Sequence, residues 1–577
     1  MLPTTELGAA ALPARSGGWR RGLLHLAILA PLALGMCLFQ LGAADWEDDS
    51  ESCGGQIVQE MVGGCGWILP LRNARHIPVK PPLFYWLGAA SAKLRGTGGD
   101  LLDARLPSAV LGAWCVVCVY LLARRLAGDA VALWAGLILT TTPQFVIEAR
   151  NSRVDIALCA FLTPALFLAW RVWDGEGDRR TALGAALCVA LAMLSKGPLA
   201  FGLMVLVLLA AVPVVRPAPT WRALLAPATL AVALGIPALW YAAATLQHGL
   251  PFLQLHIYSE NVSRLLGQQG RYAVLFYLEP LVTSGLPWIL ALPLAAVGES
   301  RLPSRSRRFL WVWVITMLVF FSLSPGKRRA YLLPLRPALA ILLAGWLVPQ
   351  LGRLREYARE SSVPRAAHLA IGAFVLLGMA AIVALRAGIG GFGTDEMEWS
   401  HWWRDYFRNH LATALALPLG LGIGVDLLVR WIVQRRWELA AYALAGTVAW
   451  GLTIGIAAGA IVRGAGASFQ SFAAQVAAQV PPSAPLAFFD LDDEQEIAFL
   501  FHLHRHVPVI SPVDPLAPCT PPTGGLYLVL ESRWNKDACF RSEAWQELAR
   551  GGPQAESQHW WRLVLARYAP SDQPMPE

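Results

Sequence analysis

Charge is what this chain has least of. Only 15% of its 577 residues are Asp, Glu, Lys or Arg, against 56% that are hydrophobic, and the mean hydropathy is +0.47. That balance excludes an ordinary soluble domain and points to a polytopic membrane protein. Other absences narrow the reading. There is no phosphate-binding loop, no dinucleotide glycine fingerprint and no nucleophilic-serine elbow, so neither nucleotide use nor serine hydrolysis finds support. Inverted halves and internal repeats, the mark of many transporters, are missing too. His502, His504 and His506 alternate near the C-terminus, but no second ligand set at zinc spacing accompanies them, and the sequence predicts no metal site there.

What is present is apolar sequence in long runs. Spans are predicted at about 22–42, 105–125, 129–147, 154–172, 181–195, 197–215 and 222–245, and then at about 276–298, 309–324, 330–348, 368–388, 410–431 and 437–462. Runs this long lack the alternation of a barrel, so the expected fold is an all-α polytopic bundle of about thirteen transmembrane helices. After Val462 the composition changes. Strands are predicted at 485–490, 507–510, 526–531 and 563–567, with helices at 494–502 and 544–549, giving a small C-terminal α/β domain over 463–577.

Arginine placement orients the bundle. Arg15, Arg20 and Arg21 precede the first span, and Arg124/Arg125, Arg179/Arg180, Arg301/Arg305 and Arg435/Arg436 fall in short segments on that same side. The positive-inside rule then makes 1–21 a cytoplasmic tail, followed by a retained anchor. Loops 43–104 and 246–275 and everything after about 463 lie on the opposite, outer side. The net charge of +8 is mostly this bias and needs no nucleic acid. Cys53 with Cys65, and Cys519 with Cys539, are two even pairs on the oxidising side, which predicts two disulfides.

The informative charges sit in the outer segments. Asp45, Glu47, Asp48, Asp49 and Glu51 crowd the first loop, and Asp155 follows Arg150 and Arg153 at the head of a span. An acidic run is usually a solvated turn, and an Asp at a helix start is often only a cap. Two carboxylates converging over a bundle would instead suit general-base work or cation binding. Lys80, Lys196 and the run Lys327-Arg328-Arg329 break the positive-inside trend. Each alone reads as a snorkelling anchor; together they suit an anionic ligand such as a lipid phosphate. Asp426, near the cytoplasmic end of a span, is the main intramembrane charge.

Several pieces occur in a fixed order: Gln59-Glu-Met61, Trp67-Ile-Leu-Pro70, Val79-Lys-Pro-Pro-Leu-Phe-Tyr-Trp86, Ala104-Arg-Leu-Pro-Ser108, Arg150 through Asp155, Leu194-Ser-Lys-Gly-Pro198, Glu260-Asn-Val-Ser-Arg264, Gly285-Leu-Pro-Trp288 and Ser322 through Pro334. Together they resemble the polyprenyl-phosphate-dependent glycosyltransferases of the GT-C class, above all the aminoarabinose lipid A transferases, with protein O-mannosyltransferases more distant. The resemblance implies an enzyme that moves a sugar from an undecaprenyl or other polyprenyl phosphate to a lipid A, glycolipid or glycan acceptor, without a required cofactor. A flippase for a lipid-linked sugar and a protein O-glycosyltransferase are the alternatives. It also implies catalytic roles for Asp49 or Glu51 and for Asp155, and substrate contacts from Lys80, Tyr85, Arg150, Lys196, Glu260, Asn261, Arg264, Lys327 and Tyr331. Three positions depart from the family pattern. Ser50 stands where counting back from Met61 places the first-loop Asp, Cys53 and Gly54 replace an Arg and a Tyr, and Val79 replaces the Glu before the motif lysine.

Overall fold

The computed structural model describes residues 18–43, 46, 49–74, 76–215, 221–263, 273–356, 411–433, 436–466, 469–491, 499–511, 521, 524–552 and 562–569. The chain begins with α1 (Gly18–Leu38), α2 (Asp49–Val62), α3 (Leu83–Arg95), α4 (Leu101–Ala127), α5 (Asp129–Thr140), α6 (Pro143–Glu148), α7 (Val154–Trp173), α8 (Arg179–Lys196) and α9 (Leu199–Ala211). Next come α10 (Pro227–His248), a bent pair α11 (Val274–Thr283) and α12 (Trp288–Val297), and α13 (Ser304–Leu323). The membrane part closes with α14 (Arg336–Glu356), α15 (Leu411–Val433) and α16 (Trp437–Gly466).

Seven helices among the described residues are long and apolar enough to cross a membrane, or eight if the bent pair counts as one. The expected count of about thirteen spans is not confirmed among these residues, and two of the predicted runs are interrupted for local reasons. The run 129–147 breaks after Thr140, where Pro143 starts a new helix. Twelve residues of α5 reach about 18 Å, well short of a hydrocarbon core of about 30 Å. The run 276–298 bends by 109° around Ser284-Gly285-Leu286-Pro287, where proline cannot continue the ladder. The run predicted at 368–388 lies outside the described residues. Asp426 pairs with Arg430 one turn later on α15, which accounts for that charge without a transport path.

Small side chains let the central helices close on one another. Ala157, Ala160, Ala165 and Ala169 of α7 and Ala182, Ala185, Ala186 and Ala192 of α8 are all essentially without exposure, the close-packed seam expected where lipid supplies no hydrophobic drive. Over the bundle lies the first outer segment. Its helix α2 begins at Asp49, and α3 opens directly after Pro81-Pro82. Gly88 of α3 meets Val58 of α2, where a Cβ would stand 2.7 Å from the valine. At the start of α4, Asp100 and Asp103 cap each other's backbone amides, and Arg95 bonds both carboxylates.

Cys53 and Cys65 carry free thiols, so the first predicted disulfide does not form. Cys53 lies within α2 and Cys65 beyond its end. At about 1.5 Å per residue the helix separates them well past the roughly 4.4–6.8 Å a disulfide allows. The side chains of Cys519 and Cys539 lie outside the described residues.

At the C-terminal end, α17 (Gln470–Gln479) precedes β1 (Leu486–Phe489), β2 (Val509–Ile510), β3 (Gly525–Leu530), α18 (Glu531–Lys536), β4 (Trp545–Gly551) and β5 (Leu563–Tyr568). The sheet order is β2-β1-β3-β5-β4. β1 runs parallel to β2 and β3, and β5 is antiparallel to β3 and β4. The predicted helix at 544–549 is instead the edge strand β4. Its helix-forming residues are overridden by pairing along β5, from Trp545 opposite Tyr568 to Gly551 opposite Leu563. Strand side chains alternate between two cores. Leu486, Phe488, Leu528 and Leu565 face Phe472 and Val476 of α17, and Phe489, Tyr527 and Val564 face Phe540 and Trp545. The first core also takes in Trp46 of the outer loop, whose ring meets Phe501 edge-on at 4.6 Å.

Candidate active site

Between α2, α3, the start of α7 and the end of α8 lies a cavity of about 330 Å³. Asp155 projects into it from the first turn of α7. The cap position of that helix is held by Arg153, with no side-chain bond to a free amide, so Asp155 is not a cap. It forms an ion pair with Lys196 instead, both side chains mostly buried. Lys196 ends α8, and Gly197 turns the chain away at φ +81°; a Cβ there would also lie 3.3 Å from the Tyr241 hydroxyl. The Lys196 ammonium stands 4.7 Å from the centroid of the Tyr331 ring, within cation–π reach.

A smaller cavity of about 90 Å³ adjoins the first, with Lys80, Lys196 and Tyr331 lining both. Lys80, fixed between Val79 and Pro81, pairs with Glu260. Glu260 comes from a π-helical stretch, Gln254–Ser263, in which Asn261 donates to the carbonyl of His256 at 2.6 Å. His256 in turn bonds the Pro78 carbonyl at 2.7 Å, where the neutral ring must donate. Burial pushes its pKa down to about 4, helped by the nearby Lys80 cation. Tyr85 lines the main cavity from α3, and burial raises its phenol well above the usual range.

The electrostatics of the main cavity are lopsided. Arg72, Lys80, Arg153, Lys196 and Arg328 line it, and Asp155 is the one carboxylate among the described residues that does. Such a surface suits an anion. Ser50, where the family pattern has its first-loop Asp, also lines this cavity and accepts from Arg328 at 3.1 Å.

Other expected site residues are placed elsewhere. Glu51 has no exposure; Arg105 grips it with bonds of 2.7 and 2.9 Å, and the Ser152 amide donates to it at 2.8 Å. It thereby ties α2 and α4 to the loop before α7. Arg150 bonds the carbonyls of Met36 and Cys37 at 3.1 and 2.8 Å, closing the end of α1. Lys327 donates to the carbonyls of Phe321, Ser322 and Ser324, at the end of α13 and the residue that caps it. Of the basic run 327–329, only Arg328 lines the cavity, while Arg329 is exposed beside Glu279. Arg264 and the side chain of Asp49 lie outside the described residues. Arg72, Ser152 and His256 were not singled out from the sequence. Arg72 carries no local signal at all, being delivered by a bridge to His76 between α2 and α3.

Fold and cavity together describe a polytopic helical bundle with a cation-rich cavity at one end. Residues 79–241, which carry Lys80, Tyr85, Asp155 and Lys196, match the family described as dolichyl-phosphate-mannose-protein mannosyltransferase. The chain is 31% identical over 305 residues to the undecaprenyl phosphate-alpha-4-amino-4-deoxy-L-arabinose arabinosyl transferase of Pseudomonas aeruginosa (strain LESB58), covering 51% of this chain and 54% of that protein. It is 29% identical over 368 residues to the corresponding transferase 2 of Pseudomonas fluorescens (strain Pf0-1), covering 60% and 64%. The match thus spans about half the length of these curated relatives. In three dimensions the chain is similar to ArnT from Cupriavidus metallidurans bound to undecaprenyl phosphate, with a TM-score of 0.71 at 19% identity over 97% of this chain and 100% of that one. Its likeness to the aminoarabinose transferases is therefore of sequence over half its length and of fold over nearly all of it.

Proposed function

We propose that this chain is a membrane glycosyltransferase that takes a sugar from a polyprenyl phosphate and places it on a lipid A, glycolipid or glycan acceptor. The observation that carries this reading is the main cavity, where five cations face a single carboxylate. A phosphate leaving group needs that charge, because its negative charge grows as the sugar–oxygen bond breaks. Lys80, Lys196 and Arg328 receive the departing polyprenyl phosphate, and Arg72 and Arg153 add to the field. Asp155 orients the acceptor hydroxyl and accepts its proton as the new glycosidic bond forms. If the acceptor is itself a phosphate, no strong base is needed, and Asp155 serves to position donor and acceptor.

The remaining candidates divide into contact and support. Tyr85, Tyr331, Glu260 and Asn261 shape the sugar and phosphate subsites, with Arg264 a further candidate for substrate contact and Asp49 for the chemistry. Glu51, Arg150 and Lys327 hold the backbone in place. The reading places the cavity on the periplasmic side of the inner membrane, with the N-terminus cytoplasmic, residues 22–462 as the transferase unit and 463–577 as an outer domain. Arginine-rich short loops support that orientation.

Sugar transfer in detergent micelles tests the reading, using radiolabelled polyprenyl-phosphate sugars and a lipid and glycan acceptor extract. Transfer by the wild type that collapses in Asp155→Asn and Lys80→Ala is the expected result. Donor binding without transfer by the wild type would turn the reading toward lipid-linked sugar translocation.

A further inference from the structure

We propose that Glu60, Cys65 and His506 form a zinc-type metal site that joins the first outer segment to the C-terminal sheet. Their ligand atoms all lie within 4.8 Å of one another, although His506 is 441 residues from Cys65 in the chain. His506 Nε2 stands 2.9 and 3.0 Å from the two carboxylate oxygens of Glu60. Cys65 is folded back toward Glu60 by a glycine-rich turn. Gly64 and Gly66 take φ +94° and +111°, open to glycine and strained for other residues, and the Cys65 amide donates to the Glu60 carbonyl at 3.0 Å.

The surroundings fix these groups without help from a metal. Asn73 clamps Val507, the neighbour of His506, accepting from its amide at 3.1 Å and donating to its carbonyl at 2.9 Å. The Asn73 amide also donates to Glu60 Oε1 at 3.1 Å, the outer-shell bond that orients a ligating carboxylate. Gln59 reaches across to the Phe501 carbonyl at 3.1 Å. Arg505, which precedes His506 in the chain, is turned onto the carbonyls of Ala484 and Pro481.

Thiolate, imidazole and carboxylate are the ligand types zinc takes, and three protein ligands leave a fourth position for water. The site faces a cavity of about 430 Å³, and Cys65 and His506 are exposed. On binding, Cys65 releases its proton to solvent and the neutral His506 ring carries its proton on Nδ1 rather than Nε2, so that the hydrogen bond between His506 and Glu60 gives way to two metal bonds. The two carboxylic and thiolate charges then balance a divalent ion. No residue of this cavity lines the one containing Asp155, so the inference stands independently of the transfer chemistry.

The test uses the full chain in detergent, stripped with chelator and titrated with Co²⁺, then with Zn²⁺ as competitor. The expected result is one equivalent of Co²⁺ with a thiolate-to-cobalt charge-transfer band, displaced by Zn²⁺. The band is lost in Cys65→Ser, and Zn²⁺ uptake falls in His506→Ala and Glu60→Gln while gel filtration shows an unchanged monodisperse peak. No band in the wild type, or a band that survives in Cys65→Ser, overturns the proposal. The wild-type spectrum decides the matter even if a variant fails to fold.

Discussion

Asp155, in the first turn of α7, and Lys196, the last residue of α8, form a buried ion pair against the ring of Tyr331. Two membrane helices thus end in opposite charges at one cavity wall. Breaking such a pair from one side leaves an uncompensated charge, at a cost of about 3–5 kcal/mol. Lys196→Met is therefore expected to lower the unfolding temperature in detergent sharply. The double variant Asp155→Asn/Lys196→Met is expected to recover much of that loss, and a thermal double-mutant cycle measures the coupling. Additive effects would mean that the pair does not act as a unit.

Glu51 is expected to behave as a structural residue. With Arg105 buried around it, Glu51→Gln removes the counter-charge and should cost about 3 kcal/mol or more. The yield of folded protein falls, while transfer per folded molecule stays within a few-fold of wild type. A stable Glu51→Gln protein with abolished transfer would return Glu51 to the chemistry.

Neighbouring cations separate by function. Arg328→Ala removes a charge from the cavity and should weaken donor use by about 10-fold or more, one charge-assisted contact being worth about 1.5–3 kcal/mol. Lys327→Ala, which strips three carbonyls of their donor, should act on thermal stability instead. Michaelis parameters measured beside melting curves for both variants distinguish the two. Equal kinetic losses would contradict the placement.

His256 makes the outer segment sensitive to acid. Its pKa is about 4 in the fold against an ordinary 6.5, so between those values the unfolded chain binds more protons. Stability is therefore complete above about pH 6.5 and declines as the pH falls toward 4, by about 3 kcal/mol in all. Melting temperatures across that range should show the decline in the wild type and a flatter profile in His256→Gln, whose amide can still donate to Pro78. A wild-type profile as flat as the variant's would rule the histidine out.

Much of this molecule was legible in one dimension because its strongest signals are local. Apolar runs need internally bonded helices in lipid, so the bundle follows from composition and length. Pro81-Pro82 starts α3 wherever α3 packs, and short continuous apolar runs mark β1, β3 and β5. The out-of-place lysines Lys80 and Lys196 and the acid Asp155 also announced themselves, since charge near lipid is costly to keep.

What the tertiary structure alone decided is which of several equivalent charges meet. Sequence offered Glu51 and Asp155 as equal carboxylates; only packing showed Arg105 closing on the first and the cavity opening on the second. Lys327 and Arg328 are adjacent, yet the turn after α13 directs one to backbone carbonyls and the other to the cavity. Glu260 reaches Lys80 across 180 residues, and His506 reaches Glu60 across 446. The strand β4 exists because β5 lies beside it, against its own helical leaning. Local propensity and hydropathy act within a few residues, whereas ion pairing and strand pairing depend on distances that only the folded chain sets.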